Sequence, residues 1–427
     1  MNCRQALEQF SKGTLDACLC ALYGENALAA QRARYADAIR AFAARFTEER
    51  EITLFSVPGR SELSGNHTDH NAGLALAAAV NLDVIAVVSP TKTHTVTLFS
   101  AGYGEDSVDL DTFTSPRTER YSCSDALIAG IARGLSDRGY RAGGFDAYTT
   151  SNVPKGSGLS SSAAFEILIG SIQNHLYNNG AVDATALAQI SKFAENEFFG
   201  KPCGLLDQLA IACGGISALD FADPGAPVVE KIDFDMTKAG YALCIVNTGG
   251  NHADLTADYA AVPHEMKAVA HELGGEVLRT VDEKTLLGDL ARLRERVGDR
   301  ALLRALHFFA ENRRVTEQVT ALRAKDLARF LAIVTDSGNS SFRFLQNVYA
   351  PANPSEQGLS LALCLAERFL KGKNGACRVH GGGFAGTIQV FLPSEHVAAL
   401  TELMDGVFGT GACTPLRIRA QGPTVLE

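Results

Sequence analysis

Pro154-Lys155-Gly156-Ser157-Gly158-Leu159-Ser160-Ser161-Ser162-Ala163-Ala164 leaves a strand-like run and enters a helical pattern. Before it, Phe145, Ala147 and Thr149 alternate with their neighbours up to Val153; after it, Ala164, Ile167, Leu168 and Ile172 recur at helical spacing. The order strand, glycine-rich turn, helix suits phosphate. Gly156 and Gly158 let the backbone turn its N–H groups toward a ligand, and the serines open a helix whose free amides and dipole favour an anion. A tight turn with a serine cap is the structural alternative for such a loop taken alone. The segment lacks the Gly-Lys-Ser/Thr ending of a P-loop and the spacing of a protein-kinase or dinucleotide fingerprint.

The chain has 427 residues, 46% hydrophobic and 20% charged, which predicts two globular domains and excludes extended disorder as the main state. A net charge of -9 argues against a nucleic-acid binder, because phosphate backbones need a basic surface. Ten cysteines lie scattered, and Cys18 and Cys20 have the wrong spacing for a zinc or redox pair, so they read as buried free thiols. No signal peptide is visible at Met1–Phe10, and the apolar run Leu74–Val88 is interrupted by Asn81 and Asp83, too polar to span a bilayer. A cytoplasmic enzyme is expected, with no nucleic-acid or membrane partner.

Along the chain, Tyr35, Ile39, Phe42 and Phe46 mark one face of a helix over 26–45, followed by a strand at Ile52–Val57 that Pro58 and Gly59 stop. Strands are expected at Val84–Val88 and Thr95–Phe99, an edge strand or turn at Glu105–Asp111, and helices at Ser124–Arg138 and Thr185–Phe199. The second half shows a strand at Tyr241–Asn247, helices at Ala301–Asn312 and Ala324–Thr335, and a strand-turn-strand at Arg378–Phe391. The mix predicts an α+β architecture in both halves.

A second stretch, Pro58 to Gly73, is polar where a core would be apolar. Arg60, Glu62, Asn66, His67, Thr68, Asp69, His70 and Asn71 offer many directional donors and acceptors, a surface suited to several hydroxyls at once. A metal site at His67, Asp69 and His70 is the weaker alternative, since neighbouring ligands need a distant partner to close a site. A solvated loop is the bland one.

These two stretches, with Pro202-Cys203-Gly204-Leu205-Leu206-Asp207-Gln208 and Gly381-Gly382-Gly383-Phe384-Ala385-Gly386, resemble in their joint order the galactokinase branch of the GHMP small-molecule kinases. The resemblance runs from about Arg34 to the C-terminus. It implies a two-domain fold with an N-terminal ribosomal protein S5 domain 2-like half over 31–218, a C-terminal ferredoxin-like α/β sandwich over 219–427, and the active site between them; residues 1–30 form an extension without counterpart. It implies transfer of a phosphoryl group from ATP to the anomeric hydroxyl of galactose, in a monomer. On the same analogy Asp207 accepts the proton and Arg60 keeps it ionised. Asn66, His67, Asp69, Gly204 and Tyr259 contact the sugar, with Tyr259 identified from the run Asn251-His252 to Asp258-Tyr259. Lys155, Gly156, Ser157, Gly158, Leu159, Ser160, Ser161 and Ser162 cradle the phosphates, and Ser161 with Glu195 binds Mg²⁺.

Taken singly, each residue has a structural explanation. Asp207 suits a helix start, Arg60 a surface ion pair, Glu195 with Glu197 a solvated helix face, Tyr259 packing, and the glycines of 381–386 a hairpin turn. The chain also departs from the family's common pattern. Asn66 stands where most members have the glutamate that meets the sugar 6-hydroxyl, Ser61-Glu62 and Ser64 replace Val-Asn and Ile, and His70 replaces tyrosine. A kinase for galacturonate, arabinose or N-acetylgalactosamine, or a non-catalytic galactose sensor, therefore stands beside the galactose 1-kinase.

Overall fold

The computed structural model describes residues 1–427 apart from 155, 251–254 and 427. Helices Cys3–Lys12, Asp16–Tyr23 and Leu28–Phe46 open the chain, the third being the helix expected over 26–45, with Tyr35, Ile39 and Phe42 buried. Twelve strands follow among the described residues. The first seven are β1 (Thr53–Ser64), β2 (Leu74–Pro90), β3 (Thr95–Ser100), β4 (Gly104–Asp109), β5 (Phe145–Ser151), β6 (Ile216–Asp220) and β7 (Val228–Ile232). The remaining five are β8 (Tyr241–Asn247), β9 (Ala376–Val379), β10 (Thr387–Pro393), β11 (Cys413–Leu416) and β12 (Thr424–Leu426).

The larger sheet has the order β12-β1-β2-β5-β3-β4, with β6 paired to the first half of β2 and β7 to β6. It is antiparallel except where β3 meets β5. It thus continues past residue 218 and recruits the chain's last strand. The long strand β2 reads as one apolar run because both its faces are covered. Ala86 and Val88 join the main core under helices Ser124–Asp137 and Ser161–Asn178, while Ile85 and Val87 pack with Leu19, Tyr35 and Phe42 of the N-terminal helices. Residues 1–46 are therefore the second cover of this sheet.

Strand β1 does not stop at Pro58-Gly59 as expected but runs to Ser64, with register shifts at Pro58/Arg60 and Glu62/Ser64. Strand β12 borders it only at Leu54, Phe55 and Ser56, so from Pro58 onward β1 is an edge on that side, where a residue lacking an N–H is tolerated. The smaller sheet, β11-β8-β10-β9, is wholly antiparallel and has the strand order of a ferredoxin-like β-α-β-β-α-β unit. Cys244 and Val246 face helices Gly358–Leu370 and Val397–Phe408, while Leu243 and Ile245 face helix Leu327–Ser340. All ten cysteines are free thiols, but they are not all buried: Cys364 is exposed and five are half-buried. No helix among the described residues is long and apolar enough to cross a membrane.

A buried carboxylate ties the N-terminal helices to the sheet. Asp83 accepts from Tyr23 (2.5 Å), from Arg34 (2.6 Å) and from Ser56, and Arg419 lies 3.5 Å away. Asp83 and Arg419 are fully buried, so removing the carboxylate leaves cationic partners uncompensated. Asp83→Ala is expected to cost roughly 3–5 kcal/mol in urea unfolding. A loss within the range of an exposed pair, about 1 kcal/mol, would contradict this role.

Candidate active site

Strand β1 carries Arg60 and Glu62 on one face, two residues apart, and turns them into a cleft of about 300 Å³. Across the cleft, Asp207 stands in the first turn of helix Leu206–Cys213, where the helix dipole favours its charge. Arg60 grips it through Nε (2.7 Å) and Nη2 (2.5 Å), and Ser160 Oγ donates to its second oxygen (2.6 Å). Burial works to raise the Asp207 pKa, but the charge and hydrogen bonds of Arg60, with Ser160, outweigh it and hold the carboxyl below its ordinary value. One-third of the Asp207 side chain remains open to the cleft. Arg60 is buried, not a surface partner.

Arg60 also donates to the Gly158 carbonyl from its side chain and to the Leu159 carbonyl from its backbone N–H (3.0 Å). The glycine-rich loop is thus fastened to the same strand as the arginine. Gly158 has φ +71°, and a Cβ there would lie 2.7 Å from His380 Nδ1, so glycine is required twice over. Ser160 is also left-handed (φ 59°) just before helix Ser161–Asn178, a strained serine held by its bond to Asp207. His380 supports the loop from behind. Thr387 Oγ1 spends its proton on Ser157 O (3.2 Å), so it accepts from His380 Nδ1 (3.0 Å), and His380 Nε2 then accepts from Ser61 (3.0 Å). Burial, with the charges of Arg60 and Arg378, pushes His380 down to about 3, consistent with that neutral tautomer.

Glu195 is fully enclosed, not on a solvated helix face. The helix expected over 185–199 ends at Phe193 and continues as a wider π-type turn, Ala194–Phe198, which directs Glu195 inward. Its oxygens accept from Lys201 (2.7 Å), Gln208 (3.1 Å) and, at 3.4 Å, from Ser162. The serine that reaches Glu195 is thus Ser162, the neighbour of Ser161. Gln208 also donates to Glu166 (3.1 Å), whose pKa burial and the nearby Glu195 raise well above the ordinary range. Glu166 Oε1 and Gln208 Oε1 are buried without a partner in this corner.

Among the expected sugar residues, His67, Asp69, Gly204 and Tyr259 line the cleft, and Asn66 does not. Gly204 is closely approached, since a Cβ there would sit 2.1 Å from Asp69 Oδ2. His67 Nε2 must donate to the Gly382 carbonyl (2.8 Å), and burial pushes its pKa down to about 4, so the ring is neutral. Tyr259 OH donates to Gly383 O (2.8 Å), and Asn66 Nδ2 to Gly381 O (2.6 Å). The glycine run of 381–386 is therefore the wall of the site and not a free hairpin. Lys155 and the pair Asn251 and His252 lie outside the described residues. No group of three His, Cys, Asp or Glu side chains is placed to hold a metal among the described residues, so the trio His67, Asp69 and His70 forms no such site.

Sequence reasoning missed Lys201, Gln208, His380 and Glu311 as site residues, and named Glu62 only as one of the polar side chains of 58–73, without a role of its own. For Glu62 the signal was its two-residue spacing from Arg60. Glu311 had none, because it comes from a distant helix, Asp299–Arg323, to accept from Ser64 (3.1 Å), Gly65 N (3.2 Å), Ser337 (2.5 Å) and Arg314 (2.8 Å). Burial opposes its ionisation, but His307, Arg378 and Arg314 overcome this and hold it at about 2.

Models of two families match: the GHMP kinases N terminal domain over residues 126–215 and the galactokinase galactose-binding signature over 40–90. The galactokinase of Streptomyces coelicolor is 30% identical over 368 residues, covering 86% of this chain and 91% of its own. Human galactokinase is 31% identical over 397 residues, 92% and 96% of the two chains. Among solved structures, Lactococcus lactis galactokinase complexed with galactose superposes with a TM-score of 0.76 at 23% identity, covering 92% of this chain and 99% of that one. Methanococcus jannaschii mevalonate kinase gives 0.61 at 15%, covering 87% and 98%.

A pH test follows from Glu311. Its folded pKa lies below the unfolded value of about 4.3, so its stabilisation is complete above that pH and is lost as pH falls toward 2. The melting temperature of Glu311→Gln should fall well below wild type at pH 6, with the gap closing between pH 4.5 and 2; a gap independent of pH contradicts the assignment. With fold and relatives in agreement, the chain belongs to the galactokinase family of GHMP kinases.

Proposed function

We propose that this protein transfers the γ-phosphoryl group of ATP to the anomeric hydroxyl of galactose, giving α-D-galactose 1-phosphate and ADP. The observation that carries the reading is the joint of Arg60, Asp207 and the glycine-rich loop, which brings together a cation, an ionised carboxylate and a loop suited to phosphate. The carboxyl of Asp207 is a weak base, because Arg60 lowers its pKa. It therefore orients the sugar hydroxyl and takes its proton only as the oxygen–phosphorus bond forms and the bond to ADP breaks, in keeping with the loose character of such transfers. The guanidinium of Arg60, bonded to both Asp207 and the loop, would steady the charge of the moving group. The amides of Gly156 to Ser162 and the start of helix Ser161–Asn178 suit the phosphates. His67, Asp69, Gly204 and Tyr259 would contact the sugar.

Ser162 and Glu195 are hard oxygen donors of the kind Mg²⁺ takes, with Ser161 beside them. The two unpartnered oxygens of Glu166 and Gln208 show a polar corner that the protein's own hydrogen bonds do not exhaust. Mg²⁺ is content with one or two protein oxygens, completing its shell with phosphate and water, which fits a site with few acidic groups. Bound there, the ion would neutralise charge on the phosphates, and Lys201, more than half exposed, has room to leave Glu195. The sensor reading finds no support in the site, since Ser160–Ala164 is complete and the Arg60–Asp207 pair is intact.

Asp207→Ala is expected to lower ATP-dependent phosphorylation of galactose at least 10²- to 10³-fold, the range of a lost proton acceptor, while calorimetry still detects galactose binding. ADP release coupled to a reporter enzyme measures the first. Near-full turnover in that variant would sink the mechanism, and no turnover by wild type would restore the sensor.

A further inference from the structure

The side chain that the sequence marks for the far end of the sugar is withdrawn from the cleft. Asn66 is fully buried, and each end of its amide is already used. Nδ2 donates to Gly381 O (2.6 Å) and to Glu62 Oε1 (3.2 Å), while Oδ1 accepts from Asn347 Nδ2 (2.8 Å) and Ser341 Oγ (3.2 Å). Nothing of it is left for a ligand without breaking that network. Glu62, four residues earlier on β1, is different. Glu62 lines the cleft, and every donor recorded on it meets one oxygen only: Asn66 Nδ2, and Arg378 Nη2 at 3.3 Å, both on Oε1. Among the described residues no donor meets Oε2.

The position suits recognition as well as the chemistry. Arg60 and Glu62 pair regularly with Ala79 and Ala77 of β2, between the two register shifts, so both point the same way from an undistorted piece of strand. Two residues of strand span roughly 7 Å. That spacing matches the reach across a six-membered sugar ring held with its anomeric oxygen at Asp207. Burial raises Glu62 to about 7 against the opposing charges of Arg378 and Arg60, so the carboxyl is held in a dry place with little competing water. A buried carboxyl with one uncommitted oxygen is costly unless something pairs with it.

We propose that Glu62, through Oε2, is the specificity-determining residue that binds a hydroxyl on the side of the sugar away from the anomeric carbon, with Asn66 acting behind it as the residue that aims its carboxylate. The acid is in this way presented from the strand instead of from the turn that follows. The proposal rests on the galactose 1-kinase reading.

The test is a cycle of one variant against a set of sugars. Steady-state kcat/KM is measured for wild type and Glu62→Gln on galactose and on its 2-, 3-, 4- and 6-deoxy forms. On galactose the variant should lose roughly 10- to 100-fold, mostly in KM, as expected for a charge-assisted hydrogen bond. On the one deoxy sugar that lacks the bound hydroxyl, wild type should already show that loss and Glu62→Gln should add none, while the other deoxy sugars keep the full penalty. An equal penalty on every sugar would show that Glu62 acts only by supporting Arg378, and no penalty on any would show that it does not meet the sugar; either overturns the inference and leaves the kinase reading intact. Absence of wild-type turnover on galactose overturns both. Should Glu62→Gln not fold, Glu62→Asp keeps the charge but shortens its reach, and the same pattern of penalties decides.

Discussion

Everything in the site depends on one ion pair, between a buried arginine and a carboxylate that is open only toward the cleft. Arg60 spans Asp207 with two nitrogens and gives its third to the Gly158 carbonyl, so a single guanidinium joins the Asp207 carboxylate to the glycine-rich loop. Charges this deep are unfavourable unless paired and hydrogen-bonded on every side, and the surrounding elements supply those bonds. Ser160 adds a second donor to the Asp207 oxygen that Arg60 Nη2 meets, at the cost of a left-handed backbone. Strand β1 continues beyond Pro58 and carries Arg60 to this height. The geometry of the ion pair and the geometry of the sheet are one constraint.

The polar stretch after β1 shows the same logic on a larger scale. Ser64, Gly65 and Asn66 are buried among side chains of the C-terminal half, and each finds a partner there: Glu311 for Ser64 and Gly65, and Ser341, Asn347 and the backbone of Gly381 for Asn66. His307 donates from Nε2 to the Asn66 carbonyl at 3.1 Å. A segment so polar survives in the interior because the second half was built around it, which leaves a few groups, among them Asp69 and Glu62, turned toward the cleft.

What could be read from the sequence was what is local. The loop at 154–164 announced itself because turn, cap and helix start are neighbours in the chain, and the amphipathic helix near the N-terminus because its face repeats within nineteen residues. The strand at 53–64 was cut short because proline is judged by its own missing N–H, whereas the deciding fact is that β12 ends at Ser56. Glu195 looked solvated beside Glu197, since a π-type turn, which shifts one residue relative to the next, leaves no trace in periodicity. Glu311 and His380 lie hundreds of residues from the groups they hold, and Asn66 was chosen over Glu62 because motif position is legible and side-chain direction is not. Likewise the N-terminal helices had no apparent purpose until Ile85 and Val87 were seen to need a cover.

The wall formed by Gly381, Gly382 and Gly383 meets Asn66, His67 and Tyr259 through three successive carbonyl oxygens. These acceptors belong to the main chain, so no substitution in the run can delete them; it can only displace them, as a Cβ at Gly382 would by meeting the Tyr259 ring at 2.3 Å. The seam between the two halves is therefore written in shape and not in side-chain chemistry. The polar side chains at 62 and 66 can change without altering the main-chain surface that the cleft closes against.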